Sequence, residues 1–207
     1  MGRFSSDSGG GSFIPAPVGT HVARCVRLTD LGTQHGEYKG QPTRRNQVLI
    51  TWELPDEMIE IEGKEVPVTT SRFYTNSLGE KANLRRDLEG WRGKAFTEDE
   101  LQRFDLMNIL GKPCMLTIVG GENGKTKVAS VSGLPKRTEC PPQVNPSFSF
   151  WLDDDFDVNK FDELSDGIKK IVEKSEEWAY IQSGGSSPEE QRTQDVSDFS
   201  DDDTIPF

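Results

Sequence analysis

Apolar and polar side chains alternate along several segments in the first two thirds of the chain. In residues 46–53, Val48, Ile50 and Trp52 share one side of an extended backbone, which is the two-residue period of a half-buried β-strand. Residues 32–45 are polar and rich in glycine, and they are predicted to form a loop. Similar alternation predicts further strands at 20–31, 67–75, 114–119 and 127–131, and a hairpin at 57–66 that turns at Gly63-Lys64.

A helical period interrupts the strands once. Leu84, Leu88 and Trp91 recur at helical spacing, and Thr97 with Glu100 forms a capping box that opens a second helix. Five or six short strands with one helical insertion before the last hairpin are typical of a small closed barrel. The sequence therefore predicts a mainly β fold, an OB-type Greek-key barrel with a helical insertion. A parallel sheet fits less well because helices and strands do not alternate along the chain.

The last third of the chain has a different pattern. Prolines cluster between residues 133 and 146 and indicate a linker. Beyond them, six apolar residues lie along one side of a predicted C-terminal amphipathic helix that ends near Gln182: Phe161, Leu164, Ile168, Ile171, Val172 and Trp178. Because an isolated helix of this length is marginal in water, we expect it to pack on the barrel or on a second subunit, which would make a homodimer.

Four parts follow from these patterns: a flexible N-terminal arm, an OB-like domain, a Pro-rich linker with the amphipathic helix, and a disordered acidic tail, at residues 1–16, 17–138, 139–182 and 183–207. Charge is divided unevenly between them. Residues 1–138 carry 19 Lys and Arg against 17 Asp and Glu, whereas residues 139–207 carry 5 against 18. The net charge of −11 therefore belongs to the last third, and the barrel can still present a basic face.

The cysteines and the first residues bear on the cellular compartment. Cys25, Cys114 and Cys140 are far apart and form no C-x-x-C motif, which indicates reduced thiols rather than disulfides or a zinc site. Residues 1–12 lack the apolar run of a signal peptide, and no segment approaches the roughly 20 apolar residues that span a bilayer. We expect a cytoplasmic protein, in the host cytoplasm if the chain is viral, that does not associate with membranes.

The residues favour a protein without enzymatic activity, cofactor or metal. His21 and His35 are the two histidines, and neither belongs to a recognisable catalytic or metal-binding motif. Residues 120–126, Gly-Gly-Glu-Asn-Gly-Lys-Thr, are one residue too short for a Walker A loop and are flanked by predicted strands on both sides. The acidic residues 153–157 lack the glycine and the distal glutamate of an EF-hand loop, so we interpret them as a solvated charge run.

A protein that binds single-stranded nucleic acid without sequence specificity needs basic side chains for the phosphates and exposed rings for base stacking. In the strand that precedes the helices, Arg72 and Tyr74 share a face with Val68, while Phe73 points to the other side. We predict Arg72 and Tyr74 in the binding groove and Phe73 in the core. Alternation alone also allows Phe73 and Tyr74 to exchange these roles, and Tyr74 could simply pack at the barrel edge.

Further candidates for contact with single-stranded nucleic acid lie elsewhere in the barrel. Arg44 and Arg45 fall in the predicted loop after the first strand, a common wall of the OB groove. Trp52 continues the core face of its strand, with stacking on a base as the alternative. The remaining candidates are cations of the helical insertion and the last hairpin: Lys81, Arg85, Arg86, Lys125 and Lys127. Each cation could instead be an ordinary solvated charge.

The chain ends in an acidic run and an apolar, aromatic terminus, Asp201-Asp202-Asp203-Thr204-Ile205-Pro206-Phe207. A terminal ring and carboxylate suit capture by a pocket with a basic rim on another protein. This ending resembles the C-terminal tip of bacterial and phage single-stranded DNA-binding proteins, in which aspartates precede Ile-Pro-Phe. Thr204 interrupts the more usual Asp-Ile-Pro-Phe of that family.

The resemblance implies a single-stranded DNA-binding protein of phage DNA replication, recombination and repair that coats the strand without sequence specificity. It also implies that the acidic tail competes with DNA for the basic groove. Replication proteins such as a polymerase, helicase or primase would dock on the tip through Asp201, Asp202, Asp203, Ile205, Pro206 and Phe207. One alternative is an interaction adaptor whose barrel binds protein and no nucleic acid. A small nuclease is another, and it would need carboxylates that converge on a metal.

Overall fold

The chain folds around one six-stranded sheet, as seen in a computed structural model that describes residues 14–61, 63–153 and 156–184. The strand order is β3-β2-β1-β4-β5 with antiparallel neighbours, and β6 runs parallel to β1. The mainly β fold predicted from the sequence is confirmed. The strands are β1 Gly19–Tyr38, β2 Gln41–Ile61, β3 Lys64–Thr75, β4 Pro113–Gly120, β5 Thr126–Ser132 and β6 Phe148–Phe150.

The long strand β1 organises the sheet. Its first residues, 19–24, pair with β4, and residues 24–38 pair with β2. The predicted loop at residues 32–45 is wrong, because β1 and β2 continue through it as a hairpin and turn at Lys39 and Gly40, where φ is 52° and 76°. This turn has positive φ at both central residues, which matches the twist of the paired strands.

Five α-helices and two short 3-10 helices, Leu106–Ile109 and Glu122–Gly124, complete the described structure. The α-helices are α1 Asn83–Arg92, α2 Glu98–Arg103, α3 Val158–Asp162, α4 Asp166–Val172 and α5 Glu176–Gln182. The capping box at α2 is confirmed, since Thr97 Oγ1 accepts from the Glu100 amide while Glu100 accepts from the Thr97 amide. Leu84 and Leu88 of α1 are buried in the main core, the apolar cluster that also contains Val48, Ile50, Trp52 and Leu116 of the strands. Among the described helices, none combines the length and apolar character needed to cross a membrane.

The single C-terminal helix predicted from the apolar stripe is replaced by the three short helices α3, α4 and α5. Ser165 and Ser175 occupy the N-caps of α4 and α5, and Ser175 Oγ accepts from the Trp178 amide. The stripe packs with Leu31 and Leu49 in a second apolar cluster, so it docks on the sheet of its own chain. Its members in that cluster are Phe161, Leu164, Ile168, Ile171, Val172 and Trp178.

The segment that leads to these helices is also fixed to the sheet. The buried carboxylate of Glu53 on β2 accepts from the backbone amides of Val144 and Asn145 at 3.1 and 2.8 Å and from Asn145 Nδ2 at 2.9 Å. Arg24 on β1 donates to the Pro141 carbonyl at 2.8 Å. Residues 148–150 then pair with β1 as β6, a strand that the sequence pattern did not predict. The predicted arm up to residue 13 and the tail from residue 185, with the tip at residues 201–207, lie outside the described residues.

Candidate nucleic-acid interface

Phe73 is the exposed ring of the candidate interface. Its relative exposure is 53 %, and it lies opposite Leu49 on the face of β3 that points away from the main core. Tyr74 is only 3 % exposed and belongs to that core. The prediction that Tyr74 is exposed and Phe73 lies in the core is therefore wrong, and the two side chains have the opposite orientation, which the sequence had left open. Alternation grouped Arg72 and Tyr74 with Val68 correctly, but the group faces inward.

A buried polar network explains why the tyrosine lies inside. Asp87 Oδ2 on α1 accepts from Tyr74 Oη at 2.8 Å and from Arg72 Nη1 at 2.7 Å. Arg72 Nη1 also donates to the Ala129 carbonyl on β5 at 3.2 Å, and its guanidinium lies 5.0 Å from the Tyr74 ring centroid. Burial is the main cause that raises the pKa of Tyr74, followed by the Asp87 charge. The Arg72 side chain is thus held between β3, α1 and β5 and is not available to contact a nucleic-acid strand.

Trp52, which was also a candidate for contact with nucleic acid, is buried. Its relative exposure is 0 %, and its ring lies 6.3 Å from that of Trp91 within the main core. The ring cannot stack on a base from this position, so the core interpretation of its alternation is the correct one. Its burial follows from the period of two that it shares with Val48 and Ile50, which are also buried.

An open depression of about 650 Å³ lies beside Phe73. Its wall includes Gln47, Thr75, Lys81 and Asn83, so amides, a hydroxyl and one cation surround the ring. Gln47 and Thr75 are register partners, which places them on the same face as Phe73 two residues along. Glu80 also lines the depression. Sequence reasoning missed Gln47, Thr75 and Asn83; the register of β2 with β3 is the signal that would have found the first two.

Arg44 and Arg45 lie on β2 rather than in a loop. Arg45 is exposed and, two residues from Gln47 on the same strand, shares its face. Arg44 is engaged by α5, because its Nε and Nη2 donate to the Glu176 carboxylate at 2.6 and 2.5 Å. The hydrogen bond from Arg44 is the main cause that lowers the pKa of Glu176.

The remaining predicted cations do not line this depression. Arg85 pairs with Glu89 one turn along α1 at 2.9 Å, and Arg86, which is more exposed, contacts Asp87 Oδ1 at 3.2 Å. Lys125 and Lys127 are exposed on the β4–β5 hairpin. The structure therefore gathers Phe73, Arg45 and Lys81 around one surface and leaves the other cations on α1 and on the last hairpin.

The chain matches no protein-family model and no curated protein. In residues 14–61, 63–153 and 156–184, no three His, Cys, Asp or Glu side chains come together as a metal site.

Proposed function

We propose that this protein binds single-stranded DNA in a phage-type replication system, on an OB-type barrel whose groove includes Phe73. The observation that carries the proposal is this half-exposed aromatic ring on a sheet face, beside Gln47 and Lys81 in an open depression. Base stacking is the interaction that an exposed ring offers to a single strand of nucleic acid.

The strand order supports the OB-type barrel. A β1–β2–β3 meander, helix α1, and a β4–β5 hairpin joined back to β1 is the order that such a barrel needs. The two end strands β3 and β5 also approach each other, since Arg72 on β3 bonds the Ala129 carbonyl on β5. The sheet thus curls toward closure, with the Arg72 side chain bridging the gap.

The proposed binding mode needs no base-specific contact. Phe73 would stack on one base, while Lys81 and Arg45 neutralise phosphates on either side of it. Gln47 and Asn83 can each donate and accept, so they can satisfy the edge of any base. This combination suits a protein that coats a strand without sequence preference.

The tail completes the proposed function on the strength of its sequence. Residues 139–207 carry 18 Asp and Glu against 5 Lys and Arg, and the chain ends in Ile205-Pro206-Phe207. Replication proteins would dock on the terminal ring and carboxylate with the help of Asp201, Asp202 and Asp203. When no strand is bound, the same acidic charge would compete for the cations of the barrel.

Phe73→Ala should weaken binding to oligo-dT by roughly 5- to 150-fold, because one stacked base contributes about 1–3 kcal/mol. Fluorescence anisotropy of a labelled oligo-dT at fixed salt measures the change. Tyr180→Ala is the matched control, since Tyr180 is a 40 % exposed ring on α5. Equal affinities for the two variants would remove Phe73 from the interface.

Phe73→Trp separates stacking from a general loss of apolar surface. The larger ring should keep or improve the affinity, and its fluorescence should be quenched by the stacked base. Single-stranded RNA and duplex DNA, assayed in parallel, show which nucleic acid the face prefers. Tight binding of duplex alone would contradict the proposal, because a stacked base must be unpaired.

Truncation before Ser197 should tighten oligo-dT binding at low salt, because it removes acidic charge tethered to the barrel. The gain should shrink as salt is raised, since screening weakens the competition. The same truncation should abolish recruitment of a replicative polymerase or helicase in a pull-down. If neither affinity nor recruitment changes, the tail has no part in the mechanism.

A further inference from the structure

Two adjacent carboxylates at the start of α5 reach the β1–β2 hairpin and make different contacts there. Glu177 accepts from the Thr33 amide at 2.6 Å, from Thr33 Oγ1 at 2.7 Å and from Asn46 Nδ2 at 3.4 Å. Thr33 is a buried position on β1. Glu177 therefore anchors α5 to the sheet.

Glu176 occupies an outer position on the same hairpin. Its carboxylate lies in the fork of Arg44, with Nε and Nη2 at 2.6 and 2.5 Å, and His35 Nε2 lies 2.6 Å from its Oε1. The side chains of Arg44 and His35 are each 63 % exposed, and that of Glu176 is 29 % exposed. A planar guanidinium donates two parallel hydrogen bonds to a phosphate in the same way as to a carboxylate.

This outer site lies on the face of the hairpin opposite the surface around Phe73, because Arg44 and Arg45 are consecutive in an extended strand. Arg45 follows Arg44 on β2 and lies on the same face as Gln47, which lines the depression beside Phe73. His35 and Arg44 are register partners on the two strands of the hairpin. β2 pairs with β3 only as far as Gln47, so beyond it this edge of β2 is open, and a DNA strand that stacks on Phe73 and follows the edge toward the turn reaches Arg45 on one face and Arg44 on the other.

We propose that Arg44 and His35 form an oxyanion site for a phosphodiester of the bound strand, and that Glu176 fills this site in cis when no strand is present. The inference rests on the proposed strand-binding function. On binding, the phosphodiester takes the place of the Glu176 carboxylate, and only that side chain has to move. Helix α5 stays docked because Glu177 keeps its bonds to Thr33.

The exposure of the ion pair makes this exchange feasible. Arg44 and His35 are open to solvent, so a phosphate can reach them and make the same bidentate contact as the carboxylate that it replaces. The competition also differs from that of the acidic tail. The tail acts through diffuse charge, whereas Glu176 acts through one defined contact with Arg44.

The test compares oligo-dT affinities of full-length Glu176→Gln and Glu173→Gln by anisotropy. Both variants remove one negative charge from the same segment, but Glu173 is an exposed residue at the end of α4. Glu176→Gln should bind roughly two- to fivefold tighter than wild type, the range expected for one exposed ion pair, and Glu173→Gln should match wild type. In an Arg44→Ala background, Glu176→Gln should give no gain.

Arg44→Ala alone should weaken binding and reduce the slope of log affinity against log salt by about 0.7, the value for one phosphate contact with a single strand. Hydrogen exchange should show α5 equally protected in wild type and Glu176→Gln. Equal affinities of the Gln variants, or a gain that persists without Arg44, would overturn the inference alone. A wild type that does not bind oligo-dT at any salt would overturn the proposed function and the inference with it.

Discussion

Replacing Asp87 with alanine should lower the free energy of unfolding by about 3–5 kcal/mol, the cost of breaking a buried ion pair by removing one partner. The carboxylate is 4 % exposed and is shared by Arg72, Tyr74 and Arg86. Without it, the Tyr74 hydroxyl and the largely buried Arg72 guanidinium lose their common acceptor. Unpaired buried polar groups carry the full desolvation cost, which is why the expected loss is large.

Three variants divide this loss among its causes. Asp87→Asn keeps an acceptor but removes the charge, so we expect a smaller loss than for Asp87→Ala. Tyr74→Phe removes one hydrogen bond and should cost about 1 kcal/mol. Arg86→Ala removes the partner whose side chain is 61 % exposed and should cost at most about 1 kcal/mol. Urea unfolding followed by circular dichroism measures all four changes.

A loss for Asp87→Ala no larger than that for Arg86→Ala would show that the network adds nothing to stability. The network also has a consequence for the interface. Arg72 and Tyr74 flank Phe73 on β3, and their contacts with α1 and β5 hold this strand in place. The exposure of Phe73 thus depends on the burial of its neighbours.

The sequence predicted the parts of β1 and β2 that are buried on one side and missed the exposed part of their hairpin. Val48, Ile50 and Trp52 alternate because one face of β2 meets the core. Residues 35–45 of the β1–β2 hairpin have no such face, since nearly all of them are exposed, and a pattern of burial cannot reveal them. Their signal was the Lys39-Gly40 pair at the turn, which is local turn chemistry.

The C-terminal helices show the limit of spacing as evidence. The apolar stripe continues at helical spacing across Ser165 and Ser175, although the chain turns at both serines. The sequence Ser175-Glu176-Glu177 is a good start signal for a helix, because a serine precedes two acidic residues. The N-cap serines therefore mark the boundaries between α3, α4 and α5, which the spacing of the apolar residues does not reveal.

The sequence named Phe73, Arg45 and Lys81 among the residues of the candidate site, but it did not predict the orientation of β3. Alternation separates Phe73 from Tyr74, but it does not say which face of a strand turns inward. That choice depends on Asp87, which lies 13 residues from Tyr74 and supplies the acceptor that its hydroxyl needs when buried. Contacts over such distances in sequence require the folded chain.

Gly32→Ala should lower the free energy of unfolding by about 2–4 kcal/mol, from backbone strain and a steric clash together. Gly32 follows a bulge in β1 and has a φ of +67°. A Cβ at this position would lie 2.5 Å from Glu177 Oε2 and 2.6 Å from Ser175 Cβ. Ser175 is buried and caps α5, so it has little room to retreat.

Gly40→Ala is the matched control, because Gly40 has a φ of +76° but has no atom within 4 Å of an added Cβ. It carries the strain without the clash, so it should cost only about 1–2 kcal/mol. The additional loss in Gly32→Ala should appear as faster hydrogen exchange in α5, while the strands of the main core stay protected. If the two alanine variants unfold alike and α5 remains protected, the close approach of α5 to β1 is not what Gly32 provides. In the expected case, release of α5 also frees Arg44 from Glu176, which connects the packing of Gly32 to the proposed strand-binding surface.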